Sequence, residues 1–216
     1  MLRGIIRAAT AGRRTTAFLL AVNVVLPVMY VTGSSSSILR KLVPQAKKVE
    51  KHKTVLKLPL EVTGSRVGQK SINLGEEFDS DSDWLKNLKV TVKNKSGKAV
   101  TWASITFRFP DTRVSGPVAL VDCFIGQRSD QRTHNPPLKL EPGQEIEFSP
   151  DLRVDVLKAS IEKRGSLDEL NHLDIEVMEV MFEDDTLYSG DNIWRRNPDS
   201  TSVHKWIKIG PYVRQS

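Results

Sequence analysis

The 216-residue chain has a formal net charge of +6, but the charge is uneven: residues 1–53 hold ten Lys/Arg against one acid, Glu50, and the rest hold 22 against 25. The basicity therefore belongs to the N-terminal segment. The body lacks aromatic-interleaved basic patches, which argues against nucleic acid as a partner. One cysteine, Cys123, excludes an intrachain disulfide and any zinc site that needs two cysteines, and His52, His134, His172 and His204 lack close ligand spacing.

Residues 1–33 read as an export signal. Arg3, Arg7, Arg13 and Arg14 precede residues 15–31, an uncharged and mostly apolar run broken by Pro27 and followed by Thr32, Gly33 and Ser34, where cleavage is expected. The run also reaches the lower edge of a membrane span, so an uncleaved inner-membrane anchor is the second reading. In both readings the basic flank stays cytoplasmic and the body is exported, to the periplasm or the extracellular space. Membrane contact is expected only through this segment. Residues 34–53 read as a basic flexible linker, opening on four serines and carrying Arg40, Lys41, Lys47, Lys48, Lys51 and Lys53. A solvated tether is favoured there over a patch for an anionic surface.

Residues 54–210 are expected to form the folded domain, and 211–216 a tail. Leu56, Leu58, Leu60 and Val62 alternate as a first strand, in which Pro59 argues for a sheet edge. Asp79, Asp81 and Asp83 alternate as in the opening of a calcium loop, but Trp84 and Val90 stand where an EF-hand wants glycine and glutamate. An irregular calcium site is one reading. An acidic surface turn with Asp83 capping one turn at 84–87 is the other.

The chain is organised around residues 88–110. Leu88, Val90 and Val92 alternate with polar residues, as do Ala103, Ile105, Phe107 and Phe109, so each run is a strand with one buried face. A polar turn, Asn94-Lys95-Ser96-Gly97-Lys98, joins the pair. Trp102 is out of phase with Ile105 and shares the other face with Val100, Ser104 and Thr106. Either the C-terminal segment covers it or it is an exposed binding aromatic. Residues 118–125 read as a buried strand holding Cys123 as a packed small residue. The polar loop 126–137 brings Arg128, Arg132 and His134. Residues 138–140 and 145–148 are short strands around the tight turn at Glu141-Pro142-Gly143.

Ser149-Pro150-Asp151 is helix-start chemistry, and Val154, Leu157 and Ile161 share one helical face before Gly165. Ser166 to Glu169 resembles a capping box for a further turn. Residues 173–182 form a strand with bulky residues on both faces, hence a central one. The acids Glu183, Asp184 and Asp185 make a turn into Thr186-Leu187-Tyr188. Ile193-Trp194 leads to the polar Arg195-Arg196, and residues 204–209 form a last strand.

Several of these stretches resemble a group of uncharacterised exported bacterial proteins. They are Trp84 to Val90 with Val92 to Lys98, Phe109-Pro110, the turn Glu141-Pro142-Gly143-Gln144, and the hairpin from Val180 to Gly190. More distantly the chain resembles immunoglobulin-like exported domains of the FxLYD type. It departs from the group at Asp185, where glycine is usual, and at Ala99, where proline is usual. The resemblance implies a fold and no site residues.

The expected fold is mainly β: an immunoglobulin-like antiparallel β-sandwich of about seven to nine strands with one inserted helix. The expected function is a non-catalytic binding or structural module of the cell envelope or extracellular space, with a protein or an envelope polymer as partner. Its candidate surface combines Trp102, Trp194, Arg195 and Arg196. The alternatives are a calcium-stabilised adhesion-type domain on Asp79, Asp81 and Asp83, or a hydrolase of envelope polymers using the acids at 183–185. No cofactor other than that calcium is expected. G-x-S-x-G and H-E-x-x-H motifs are absent.

Overall fold

The computed structural model describes residues 45–53, 58–115, 117–128, 135–162, 170–199, 201 and 205–212. The expected signal or anchor (1–33) and the first part of the linker (34–44) lie outside the described residues. So do Leu56, Arg132, His134, Gly165 and the Ser166 capping box. No described helix is long and apolar enough to cross a membrane.

The fold is mainly β, with twelve strands in two sheets and one α-helix among the described residues. The strands are β1 (Gln45–Lys51), β2 (Leu60–Val67), β3 (Lys70–Ile72), β4 (Glu77–Ser80), β5 (Leu88–Asn94), β6 (Val100–Phe109), β7 (Ala119–Gly126), β8 (Glu145–Phe148), β9 (His172–Phe182), β10 (Thr186–Ser189), β11 (Asn192–Arg196) and β12 (Trp206–Pro211); the helix is α1 (Val154–Glu162). The smaller sheet has the order β3-β2-β5-β8. The larger sheet is built on β9. One edge of β9 pairs with β6, which carries β7 outside it. The other edge is shared by β1, backed by β4, and by β10, which leads to β11 and β12.

The linker boundary moves. Residues 45–51, expected within a tether, form β1 inside the larger sheet, antiparallel to β4 and parallel to β9. Lys47 and Val49 are 1 % and 0 % exposed, so this strand has a buried face. The lysine goes inside because its methylene stem packs like an apolar chain while its ammonium reaches Asn171 Oδ1 at 2.6 Å. A count of charges reads such a residue as solvated.

The pair expected at 88–110 is a crossover between sheets. β5 pairs with β2 and β8, whereas β6 pairs with β7 and β9. Their apolar faces meet across the core instead of lying side by side, with Leu88, Val90 and Val92 in one cluster with Ala103, Ile105, Phe107 and Phe109. Asn94 fixes the turn. Its side chain is fully buried, donating to Lys98 O (2.8 Å) and Leu140 O (2.7 Å), and accepting from Ser96 N (2.9 Å) and Ser96 Oγ (2.7 Å). Those bonds tie the turn to itself and to Leu140, which holds the chain as it leaves one sheet for the other.

The first strand begins at Leu60, just after Pro59, and lies between β3 and β5 rather than at an edge. Pro59 stays out of the ladder and accepts Lys95 N–H at 2.7 Å. The run at 118–125 is an edge strand, β7, with Cys123 and Ile125 buried but Leu120 and Phe124 about half exposed. Residues 138–140 shrink to a single bridge from Leu140 to Val100. Helix α1 buries Val154, Leu157 and Ile161 as expected. The 3-10 turn Trp84–Asn87 also forms, without a side-chain cap from Asp83. Trp84 anchors it, 1 % exposed, edge-on to Phe78 and donating through Nε1 to Leu170 O at 2.9 Å.

Candidate functional site

The three acids of the calcium reading do not converge. Asp79 is on β4, exposed, opposite Ala46. Asp81 Oδ1 accepts the backbone N–H of Asp83 at 3.0 Å, a local turn bond. Asp83 Oδ1 faces two ammonium groups, Lys86 at 3.5 Å and Lys158 at 3.9 Å. Of the three, only Asp83 faces cations among the described residues, and those belong to the chain itself.

The acids at 183–185 behave as turn residues. Asp184 bonds Thr186 and Lys98 Nζ (2.5 Å); although burial pushes its carboxyl up, these bonds hold it below the usual range. Cys123 is buried with Sγ 3.7 Å from Asp151 O, and burial pushes its thiol up to about 12, out of reach of a thiolate nucleophile.

Trp102 is covered. A register shift between Val100 and Trp102 sets Thr101 in a bulge, so Val100 enters the main core while Trp102 stands on the opposite, outer face of the larger sheet. This corrects the expectation that the two share a face. Trp102 is 2 % exposed and forms a second small core with Met181 and Leu187, against which Trp194 and Trp206 pack. Phe124 stacks on it at 5.8 Å, and the Arg128 guanidinium lies 5.0 Å from its ring and 5.5 Å from that of Trp206. Trp194 spends Nε1 on Ser189 O at 3.0 Å. Arg195 and Arg196 are exposed at the end of β11. The proposed aromatic surface is therefore mostly internal packing that fastens β10, β11 and β12 to the sheet.

Farther along the same outer face lies a row of ionisable side chains. Arg108 of β6 donates to Glu176 of β9 at 3.0 Å, and Thr106 to Asp122 of β7 at 2.5 Å. His52 Nε2 is 4.0 Å from Glu176. The parallel ladder places Glu50 opposite Asp174 and Lys48 opposite His172. His172 Nε2 lies 2.9 Å from Glu50 Oε1 and 3.1 Å from Asp174 Oδ1, and Lys48 Nζ lies 2.8 Å from Glu50 Oε2. The Lys48 hydrogen bond, with His172 adding to it, holds the Glu50 carboxyl down to about 2. Burial pushes Asp174 up, and the facing Glu50 adds to that rise.

Beside this row β9 is interrupted. On its second edge β1 pairs with residues 172–175 and β10 with residues 179–181, so residues 176–178 have no strand partner there among the described residues. A cavity of about 490 Å³ opens at the gap, lined by Lys51, His52, Leu58, Met178, Tyr188 and Asp191 among others. The β10–β11 turn has positive φ at both Gly190 (54°) and Asp191 (66°), the twist a two-residue hairpin prefers, and it brings Asp191 Oδ1 to 3.1 Å from the Tyr188 hydroxyl that donates to it. Burial pushes the Tyr188 phenol well up, helped by Asp191. Lys51 pairs with Glu61 at 2.7 Å on the same rim.

Glu50, His172 and Asp174 had no place among the sequence candidates. The only signal was the alternation of His172 and Asp174 along a strand; Glu50 looked like a lone acid in a tether. No family model, curated protein or solved structure matches the chain.

Proposed function

We propose that the body of this chain is an exported, non-catalytic binding module of the cell envelope or extracellular space, an immunoglobulin-like β-sandwich whose ligand seats in the cleft where β9 is interrupted. The cleft carries the reading. It joins an unpaired stretch of strand edge at residues 176–178 to apolar walls, Leu58, Val62 and Met178, and to basic groups, Lys51 and Lys53. Those elements suit two or three residues of an extended partner chain: backbone bonds give affinity, and flanking side chains select. Binding is favoured over catalysis because most of the ionisable groups around the cleft are tied into pairs, Lys51 with Glu61, Arg108 with Glu176 and Tyr188 with Asp191, and His52 leans on Glu176 at 4.0 Å. A general acid or base needs a group left poised for the substrate.

The test is a pull-down from an envelope extract of the native host with the full chain as bait. Met178→Glu alters the cleft, and Val156→Glu alters an exposed position on α1; both residues are exposed, so both variants are expected to fold. A partner held by the wild type and by Val156→Glu but lost from Met178→Glu supports the reading. Equal recovery by all three baits, or no specific partner, overturns it.

A further inference from the structure

The imidazole nitrogen of His172 faces more acceptors than it can serve. One Nε2–H can satisfy one oxygen well, yet Glu50 Oε1 stands at 2.9 Å and Asp174 Oδ1 at 3.1 Å from the same nitrogen. Asp174 Oδ1 is buried and takes up no hydrogen bond. The nitrogen and two carboxylate oxygens all lie within 4.8 Å of one another. Ligands about 2.1 Å from a tetrahedral metal stand about 3.4 Å apart, a little wider than the 2.9 and 3.1 Å that separate Nε2 from the two oxygens, so a small outward shift would open room for a cation beside the nitrogen.

We propose that Glu50, His172 and Asp174 form a divalent transition-metal site of zinc type, with His172 Nε2, a Glu50 oxygen and Asp174 Oδ1 as ligands and the fourth position open to solvent. The cation would take the place of the Nε2 proton, which is released, giving every one of the three atoms a positive partner and relieving the buried oxygen of Asp174. Imidazole with two carboxylates suits zinc. Calcium wants six to eight oxygens, which the described residues do not gather here. The three ligands come from two strands joined by the parallel ladder, two from β9 and one from β1. A metal there would fasten the strand by which the chain enters the sheet. The site is independent of what fills the cleft.

The test uses the full chain stripped of metal with a chelator and titrated with Zn2+ against a chromophoric competitor, with Ca2+ in parallel. The wild type is expected to bind one equivalent of Zn2+, to melt at a higher temperature when loaded, and to ignore Ca2+. Glu50→Gln, His172→Ala and Asp174→Asn are each expected to weaken Zn2+ at least tenfold, whereas the triple variant His52→Ala, His134→Ala, His204→Ala keeps it. Binding that survives His172→Ala, binding lost from the triple variant, or no stoichiometric binding overturns the proposal. Should a ligand variant fail to fold, the imidazole nitrogen resonances of the wild type decide. A shift of the His172 signal on adding Zn2+ supports the site, and an unmoved signal overturns it.

Discussion

Lys47 Nζ donates to Asn171 Oδ1 across 2.6 Å with the lysine 1 % exposed, joining the entry strand β1 to the residue that precedes β9. Asn171 is in turn held by Asp111, whose Oδ2 accepts the backbone N–H groups of Asn171 (2.8 Å) and His172 (2.7 Å). Lys47→Ala removes the donor from the half-buried Asn171 acceptor and leaves a void where the buried methylene stem packed. It is expected to destabilise the protein by about 2 kcal/mol. Lys47→Met keeps the stem and is expected to recover part of that loss. Chemical denaturation of the three proteins checks both. A lysine in a solvated tether would give a change near zero.

Gly126 sits where β7 meets the bulge of β6. Its φ is +75°, and a Cβ there would stand 2.1 Å from Thr101 O and 2.7 Å from Leu138 Cβ. Both the backbone conformation and the space forbid a side chain. Gly126→Ala is expected to cost about 3 kcal/mol, because the atom it meets is a carbonyl of the bulge and not the end of a flexible chain. Thermal unfolding measures this, and the loss of the Trp102 environment is expected to show in the near-ultraviolet dichroism.

Strand alternation and the helical face of Val154, Leu157 and Ile161 were legible because each depends on residues near in sequence. What lay beyond reach depends on partners. Alternation in Leu88–Val92 and Ala103–Phe109 tells which face is buried but not which strand lies alongside, so a crossover between sheets reads like a hairpin. The phase of Trp102 turns on one bulged residue, Thr101, that no pattern marks. β1 is hidden because its inward Lys47 looks soluble. The Glu50, His172 and Asp174 cluster spans 122 positions from Glu50 to His172. It exists only through the parallel β1–β9 ladder, so a sequence that hides the strand hides the cluster.

Asp185 has φ of +57° in the turn between β9 and β10, with its N–H bonded to Phe182 O at 3.1 Å. A left-handed conformation strains any side chain, though aspartate less than most. Glycine would accept it freely, at the cost of a looser unfolded chain. Asp185→Gly is expected to stabilise the protein by about 0.5–1 kcal/mol, since the turn bond is a backbone one and the neighbouring Asp184 keeps its contacts with Lys98 and Thr186. A rise in melting temperature of about 2 °C is the matching observation. A fall would mean that the Asp185 carboxylate does more than occupy the turn.

Glu147 of β8 closes a charged ladder across the smaller sheet, bonding Arg66 of β2 at Nη2 (2.7 Å) and also at Nε, with Lys89 of β5 at 3.4 Å. The Arg66 hydrogen bonds hold its carboxyl down to about 2 from an ordinary 4.5. The folded value is below the unfolded one, so the native state binds fewer protons in this window. The ladder's contribution is complete above pH about 4.5 and is lost as pH falls toward about 2. Glu147→Gln removes the titrating group. The melting-temperature difference between wild type and Glu147→Gln is therefore expected to be level from pH 7 down to about 5 and to vanish by about pH 2. The ladder is partly exposed, so the difference is expected to be small and to shrink at high salt. A difference that persists undiminished at pH 2 would show that Glu147 acts through packing and not through its charge.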